Sequence, residues 1–485
     1  MADKVNRRRF LSDSGRLAAG GVAGASALNF GVHTMVRAET ALSPKDTINV
    51  GLIGCGGMGR ANWRLFMNNP EVRVVAVADP DSRHVQDALN DVQQIRKNQN
   101  REPEKLATHE DFREVLDNKE IDAIICGTPD HWHAIVTILA CQAGKDVYCE
   151  KPISHNIVEG RAMVNAVKRN KRVCQIGTQQ RSGEHFQKAI ELVQRGALGR
   201  VIESRTWNYS QEGPDGIGNG QDGDPPKEVN YDLWLGPAPK RAFNSNRFHY
   251  QWRWFFDYAS GMVGDWNVHL QDIVHLAMRT GRPNAVSASG GKFALQDNRD
   301  TPDLLEATYE FDGPDGPFVQ MYSMRKFNEN NGVWAQNADQ LAQSRIGLWS
   351  SGHGIQFVGT LGTMYLNRGG FEIVPETQRD GDKVVNRCEP TKSGSSAQNE
   401  PHVRNFLDCV KSRELPRSHI ESMHETTLCC HLANVSMKVG RKIYWDADKE
   451  LCFRDPQHKT PDTDANALLG REYRKPWELP KVEVG

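Results

Sequence analysis

The chain has 485 residues, and its 60 lysines and arginines against 61 aspartates and glutamates leave a formal net charge of −1. With no basic block beyond the N-terminus there is no electrostatic footprint for nucleic acid, so the expected partners are small molecules. No later stretch approaches the ~20 apolar residues of a membrane helix, and the ten cysteines form no C-x-x-C pair. Cys126 and Cys149 sit in apolar runs and read as small buried hydrophobes, so no metal site is expected.

At the N-terminus, Asn6-Arg7-Arg8-Arg9-Phe10-Leu11 precedes a Gly/Ala-rich stretch from Leu17 to Leu28 and ends on Val36-Arg37-Ala38. Paired arginines, a following Phe-Leu and a small-residue cleavage pattern predict a twin-arginine export signal over residues 1–38. An ordinary basic arm would need all three to coincide. About 445 residues would remain, enough for two domains, read as 46–180 and 181–455 with an extended tail over 456–485.

The first of these alternates strand and helix. Ile48 to Ile53 is an apolar run that stops at Gly54-Cys55-Gly56-Gly57-Met58-Gly59, and Ala61 to Met67 continues as a helix. A second strand, Val72 to Ala78, ends on Asp79, twenty residues after Gly59. This is a dinucleotide-binding pattern: a tight turn, a close backbone approach to pyrophosphate, and a carboxylate for the ribose hydroxyls. Asp79 favours NAD over NADP, although Arg83 nearby offers a group for a 2′-phosphate. Helix Glu110–Leu116, strand Ile121–Cys126, helix Trp132–Ala143, strand Asp146–Cys149, helix Ile157–Lys168 and strand Val173–Ile176 follow. Such alternation predicts a parallel, doubly wound Rossmann sheet. The strand ends Gly127 to His133, Glu150-Lys151-Pro152 and Gly177 to Arg181 are then expected to line one crevice.

Further on, Phe248 to Tyr258 is denser in aromatics than packing requires. Aromatic faces suit the apolar faces of sugar rings, and Arg253, Asp257 or His249 would reach hydroxyls; a core or a subunit interface is the other reading. Asp265 and His269 lie four apart in a segment read as helical and would share one face, suiting a substrate-orienting carboxylate and a general base. A helix cap and a buried histidine are the bland alternatives, and a metal pair lacks any further ligand motif. Lys151, at a strand end, would supply a cation for a developing alkoxide unless it is a solvated turn lysine. Ile202–Tyr209, Ala285–Ser289, Leu305–Phe311, Phe318–Ser323, Ile355–Gly359 and Thr363–Leu366 read as one large, mostly antiparallel open sheet. Helices Val403–Lys411 and Thr426–Val439 are expected to pack back on the first domain.

The Gly54 to Gly59 loop, Thr128-Pro129 with His133, Glu150-Lys151-Pro152, and Gly261 to His269 together resemble the glucose-fructose oxidoreductase and inositol dehydrogenase (Gfo/Idh/MocA) family. Asp232 to Pro237 and His402 to Asp408 resemble its later landmarks. Asn267 stands where many members carry glycine, and Gln211–Lys227 and Asn328–Ser351 look like insertions. The resemblance implies cofactor contacts from Gly54, Gly56, Gly57, Met58, Gly59, Asp79, Thr128, Pro129, His133, Glu150 and Lys151. It also implies His269 as base, Asp265 on substrate hydroxyls, Lys151 bridging nicotinamide and substrate, and Arg181, Arg253 and Tyr258 as further substrate contacts. A homo-oligomer through the open sheet is implied too.

Twin-arginine export carries folded proteins, so NAD is expected to travel tightly bound. The function expected is periplasmic hydride transfer at a sugar or polyol hydroxyl, with redox-neutral glycoside cleavage by the same residues as the alternative. A carbohydrate-binding module would not need Lys151 and His269 together.

Overall fold

The computed structural model describes residues 47–328 and 352–482. The signal reading over 1–38 and all but Asn328 of the Asn328–Ser351 insertion lie outside the described residues.

The first domain strings together β1 (Ile48–Ile53), α1 (Gly57–Met67), β2 (Val72–Ala78), α2 (Ser82–Asn98), β3 (Ala107–His109), α3 (Phe112–Asp117), β4 (Ala123–Cys126), α4 (Asp130–Gln142), β5 (Asp146–Cys149), α5 (Ile157–Asn170) and β6 (Cys174–Ile176). The six strands are all parallel, in the order β3-β2-β1-β4-β5-β6. The central strands are continuous apolar runs because helices cover both faces of a parallel sheet. The chain reverses direction across the sheet between β1 and β4, and a ligand crevice forms beyond their carboxyl ends.

The second domain contains α6 (Glu184–Gln194), β7 (Val201–Tyr209), α7 (Tyr231–Leu235), α8 (Val268–Met278), β8 (Ala285–Gly291), β9 (Leu304–Gly313), β10 (Gly316–Arg325), β11 (His353–Gly359), β12 (Gly362–Asn367) and β13 (Gly370–Pro375). A hairpin of β14 (Thr377–Asp380) and β15 (Lys383–Asn386) leads to β16 (Thr391–Gly394). Then come α9 (Asn399–Ser412), α10 (Ile420–Val439), β17 (Ile443–Asp446), β18 (Leu451–Phe453) and α11 (Thr463–Asn466). Ten strands form one sheet, β16-β13-β12-β11-β7-β10-β9-β8-β17-β18, antiparallel throughout except where β7 meets β10. In β10 the period of two is plain: Phe318, Gln320, Tyr322 and Met324 are buried, and Val319 and Met321 are exposed.

The two domains share packing. Val403, Phe406 and Leu407 of α9 join Trp63 and Phe66 of α1 and Tyr148 of β5 in one apolar cluster, each large side chain contributing roughly 1.5–3 kcal/mol by burial. The segment after Asp455 departs from the extended tail expected. It forms α11 and folds back over α4 and α5: Arg471 pairs with buried Glu159 at 2.7 Å, and Trp477 meets Trp132 edge to face at 4.7 Å. Partners distant in sequence fix it there, which local composition does not reveal. Among the described residues no helix is long and apolar enough to cross a membrane.

Candidate active site

The glycine turn sets the approach of the first domain to its ligand. Gly54 has φ +86°, and a Cβ there would lie 2.6 Å from the Thr128 nitrogen; only glycine takes that conformation in that space. A Cβ on Gly59 would lie on the Gly54 carbonyl oxygen, so α1 comes this close to the turn only through a bare Cα. Asp79 leaves β2 with its carboxylate fixed by two backbone N–H groups: Cys55 donates to Oδ2 at 2.7 Å and Asp81 to Oδ1 at 2.8 Å. Arg83 is committed elsewhere, its guanidinium gripping Asp81 through Nε at 2.9 Å and Nη2 at 2.7 Å. The carboxylate therefore faces the cleft without a cation for a 2′-phosphate from that arginine, as suits NAD.

A cavity of about 500 Å³ runs from this loop past Thr128, Pro129 and Asp130 to Glu150 and Lys151. Segment 233–253 of the second domain covers it with Leu233, Trp234, His249, Tyr250, Trp252 and Arg253. A cleft of this size with bare glycines at one wall and a fixed carboxylate beside them fits a dinucleotide. Glu150 is buried, accepts from Asn62 Nδ2 at 2.7 Å, and burial raises its pKa against the opposing effect of Lys151.

At the far end Lys151 Nζ donates to Asp265 twice, to Oδ1 and to the backbone oxygen, both at 2.8 Å. Arg253 Nε lies 3.5 Å from Oδ2. Burial alone would raise the Asp265 carboxyl, but Lys151 and Arg253 outweigh it and hold it well below the usual carboxylate range. Asp265 and Tyr250 also line a second chamber of about 430 Å³, walled by Trp254, Trp266, Asn208, Glu212, Lys326 and His353. The cofactor cleft and the chamber thus meet at the Lys151–Asp265 pair.

Residues 48–178 match the family description "Oxidoreductase family, NAD-binding Rossmann fold", and residues 192–294 match "Oxidoreductase family, C-terminal alpha/beta domain", the two parts of GFO_IDH_MocA. Over these residues the chain matches both domains of the Gfo/Idh/MocA family. Over 208 residues (41% of this chain, 44% of the relative) the chain is 26% identical to "Glycosyl hydrolase family 109 protein 1" of Shewanella sp. (strain MR-4). Over 258 residues (51% and 58%) it is 27% identical to the levoglucosan dehydrogenase of Pseudarthrobacter phenanthrenivorans. The chain therefore spans about half the length of the curated relatives it matches. A solved levoglucosan dehydrogenase in complex with NADH and levoglucosan shares the fold, with a TM-score of 0.59 at 18% identity over 82% of this chain and 99% of that one.

Within the site Gly54, Gly56, Gly57, Met58, Asp79, Thr128, Pro129, Glu150, Lys151, Arg253 and Asp265 line the cofactor cleft. His269 does not line either cavity. The chain forms a π turn over Val263–Asn267 before α8, so the α-helical spacing expected between Asp265 and His269 is interrupted. His269 is 6% exposed, its Nδ1 has no hydrogen-bond partner among the described residues, and its ring stands edge to face with the chamber's Trp266 at 5.7 Å. Burial, then Arg368 and Lys151, hold it well below the ordinary histidine pKa.

Three expectations are corrected. His133 is fully buried, with Nδ1 2.7 Å from the Pro152 oxygen and Nε2 2.9 Å from the Thr128 oxygen. It braces the two strand-end loops instead of contacting a ligand. Arg181 is buried against Asp272, Nε lying 2.8 and 2.7 Å from its two oxygens, so the Gly177–Arg181 strand end turns into the domain junction and not into the crevice. Tyr258 is fully buried between His131 and Trp234, at 5.3 and 5.0 Å.

Among the described residues two groups have metal-ligand spacing, Cys126 with His133 and Cys149, and Asp81 with His84 and His249. In the first both His133 nitrogens already face carbonyls, and in the second Arg83 already occupies Asp81. Asp130 lies in the Gly127 to His133 strand end expected to line the crevice; sequence reading missed Glu212, Lys326 and His353, none of which lies in a pattern with chemistry of its own.

Gly54→Ala is expected to weaken NAD binding by at least about tenfold, since a left-handed non-glycine residue alone costs roughly 1–3 kcal/mol. Dinucleotide titration followed by protein fluorescence checks this; unchanged affinity would mean the turn does not face the pyrophosphate.

Proposed function

We propose that this chain is an exported oxidoreductase that moves hydride between NAD and a hydroxyl-bearing carbon of a sugar or polyol. The observation that carries the reading is the Lys151–Asp265 pair, joined at 2.8 Å where the cofactor cleft opens into an aromatic, hydrogen-bonding chamber. NAD, when bound, supplies the hydride acceptor or donor. The Gly54 to Gly59 turn and Asp79 hold its adenosine half, and Thr128, Pro129 and Glu150 line the way to Lys151.

Lys151 presents a fixed ammonium to the oxygen on which negative charge develops, and Asp265 aims it while Oδ2 accepts a substrate hydroxyl. His269, the base expected from sequence, is kept neutral by its surroundings and stands behind the chamber wall at Trp266, so its part as proton acceptor requires the ring to reach the chamber. Tyr250, Trp254 and Trp266 cover the C–H faces of the ring. The carbohydrate reading is supported by the names of the relatives, and the export reading by Arg7, Arg8 and the stretch that follows, which imply the twin-arginine machinery and a periplasmic location. Exposed Val319 and Met321 on the open sheet favour a homo-oligomer.

The test is to denature the exported protein, count released NAD(H) or NADP(H) per chain, and then present sugars and glycosides while following absorbance of the reduced nicotinamide. About one NAD per chain and a sugar-dependent redox change are expected; an empty protein inert to added dinucleotide would sink the reading. The glycosidase names among the relatives favour a second version, in which oxidation is transient and a glycosidic substituent leaves. Aryl glycoside turnover without net NADH selects that version, and stoichiometric NADH from free sugar rules it out.

A further inference from the structure

The chamber and its supporting shell hold more positive than negative charge. Asp265 stands between two cations, Lys151 at 2.8 Å and Arg253 at 3.5 Å. Glu212 stands between Lys326, at 2.8 Å, and Arg299, at 2.5 Å. Asp297 is shared by Arg299, at 2.7 Å, and Lys292, at 3.7 Å. Arg368 pairs with no carboxylate among the described residues; its guanidinium lies 4.7 Å from the ring of Trp266, a chamber wall, and Nε is 3.3 Å from the side-chain amide of Gln180. Six cations are thus set against three carboxylates. Of the other carboxyls nearby, Asp130 and Glu150 line the cofactor cleft and burial pushes both toward their neutral forms, burial raises Asp300 beside Trp254 to about 6, and Asp303, fixed by the N–H groups of Phe293, Ala294 and Leu295, makes the balance six cations to four carboxylates.

Lys326 is where this excess reaches the cavity. It lines the chamber, is only 5% exposed, and carries its ammonium 4.8 Å from the Trp254 ring, which Arg299 also approaches at 5.0 Å. Burial lowers its pKa, and Arg299 acts in the same direction against Glu212. A buried charge is tolerated only when paired and hydrogen-bonded; Glu212 gives one oxygen to Lys326 and the other to Arg299, which Asp297 also holds, so a single carboxylate oxygen pairs with the Lys326 ammonium among the described residues.

We propose that the sugar substrate carries a carboxylate, as a uronic or aldonic acid does, and that Lys326 receives it in the chamber. This rests on the oxidoreductase reading and names its substrate class. The carboxylate supplies a second acceptor to Lys326, whose ammonium has one Glu212 oxygen, while Arg368, behind Trp266, adds to the positive potential that draws an anion in. A neutral sugar would leave the charge excess as it stands.

The experiment uses the full chain loaded with NAD and compares D-glucuronate, D-galacturonate and D-gluconate with D-glucose and D-galactose, reading NADH formation at low and high salt. The expected result is a kcat/KM at least about tenfold higher for an acid than for its neutral counterpart, a ratio that shrinks with salt because the attraction is screened. In Lys326→Met the ratio is expected to fall by about tenfold, with NAD content per chain reporting that the variant is folded. A neutral sugar that reduces NAD as fast as its acid overturns the proposal and leaves the oxidoreductase reading intact. If no sugar is oxidised, calorimetric binding separates the two: acid binding without neutral-sugar binding supports the charge proposal while the redox reading fails, and equal or absent binding overturns both.

Discussion

Lys151→Met is expected to lower kcat by about 10²–10³, the loss that follows removal of one preorganised donor from a site of developing charge. Methionine keeps most of the stem and deletes the ammonium. Two things then change together. The oxygen of the reacting carbon loses its fixed cation, and Asp265 loses the stronger of the two charges that hold it ionised, along with both 2.8 Å bonds. Burial, the largest influence on Asp265, then acts against Arg253 alone, so its pKa rises. The variant should therefore show an acid limb at higher pH than the parent, besides a lower plateau. Asp265→Asn removes the charge but can keep the bond from Lys151 to the backbone oxygen, and a smaller loss of about 10¹–10² is expected. Because the two side chains act as one unit, the double variant should be scarcely worse than Lys151→Met. Single-turnover reduction of bound NAD between pH 5 and 9 measures all three. A Lys151→Met enzyme within about fivefold of the parent would mean that the amine does not face the reacting carbon.

What could be read from sequence follows from where specificity resides. The strands β1, β2, β4 and β5 are legible because a parallel sheet buried on both faces demands uninterrupted apolar runs. Helix α2 is not: its seventeen residues bury only Ala88 and Val92, so the apolar stripe is too thin to stand out. Strand β3 has three residues, none of them buried, and is held by pairing with β2. In the site, Gly54, Asp79, Lys151 and Asp265 are legible because each belongs to a local pattern with its own chemical reason. Lys326 and Glu212 become partners only when β10 ends beside the 211–227 insertion, a contact across 114 residues that periodicity does not express. The misreading of Arg181 has the same origin. Its place is decided by Asp272, 91 residues away, and not by the strand end it follows. The π turn is a third case, since one extra residue per turn leaves no mark in a segment rich in apolar residues.

Between pH 6.5 and 4 the folded protein is expected to lose stability steeply with falling pH. Burial pushes His131 and His275 down to about 3, and His133, His402 and His431 down to about 4. Unfolded, these rings bind a proton near the ordinary value of about 6.5. In that window the unfolded chain therefore binds more protons than the folded one, so unfolding becomes easier as pH falls, by about 1.4 kcal/mol per pH unit for each histidine. Asp130 and Glu150 act the other way, because burial raises their folded pKa and the folded state takes up their protons first. His353, at about 4, and His155 and His269 add to the histidines, while Asp300, raised to about 6, and Glu306 add to the carboxyls, so the lowered histidines outnumber the raised groups and leave a slope of order 4 kcal/mol per pH unit, against a total stability of about 5–15 kcal/mol. The contribution of the histidines is whole above pH 6.5 and is spent near pH 4 for His133, His402 and His431 and near pH 3 for His131 and His275, while from about pH 4 Glu450, held at about 2 by His424 and Arg161 against burial, begins to lose its own. Urea midpoints at pH 7.5, 6.5, 5.5 and 4.5 measure the slope, and a midpoint that stays level to pH 5 would mean these rings are not buried as neutral groups. His275→Gln tests one of them alone. It removes a ring that sits 2.8 Å from Gln271 and 3.3 Å from Thr426 inside the domain junction, so it should lower stability at pH 7.5 and flatten the slope by one proton. A slope left unchanged would assign the acid sensitivity to other groups.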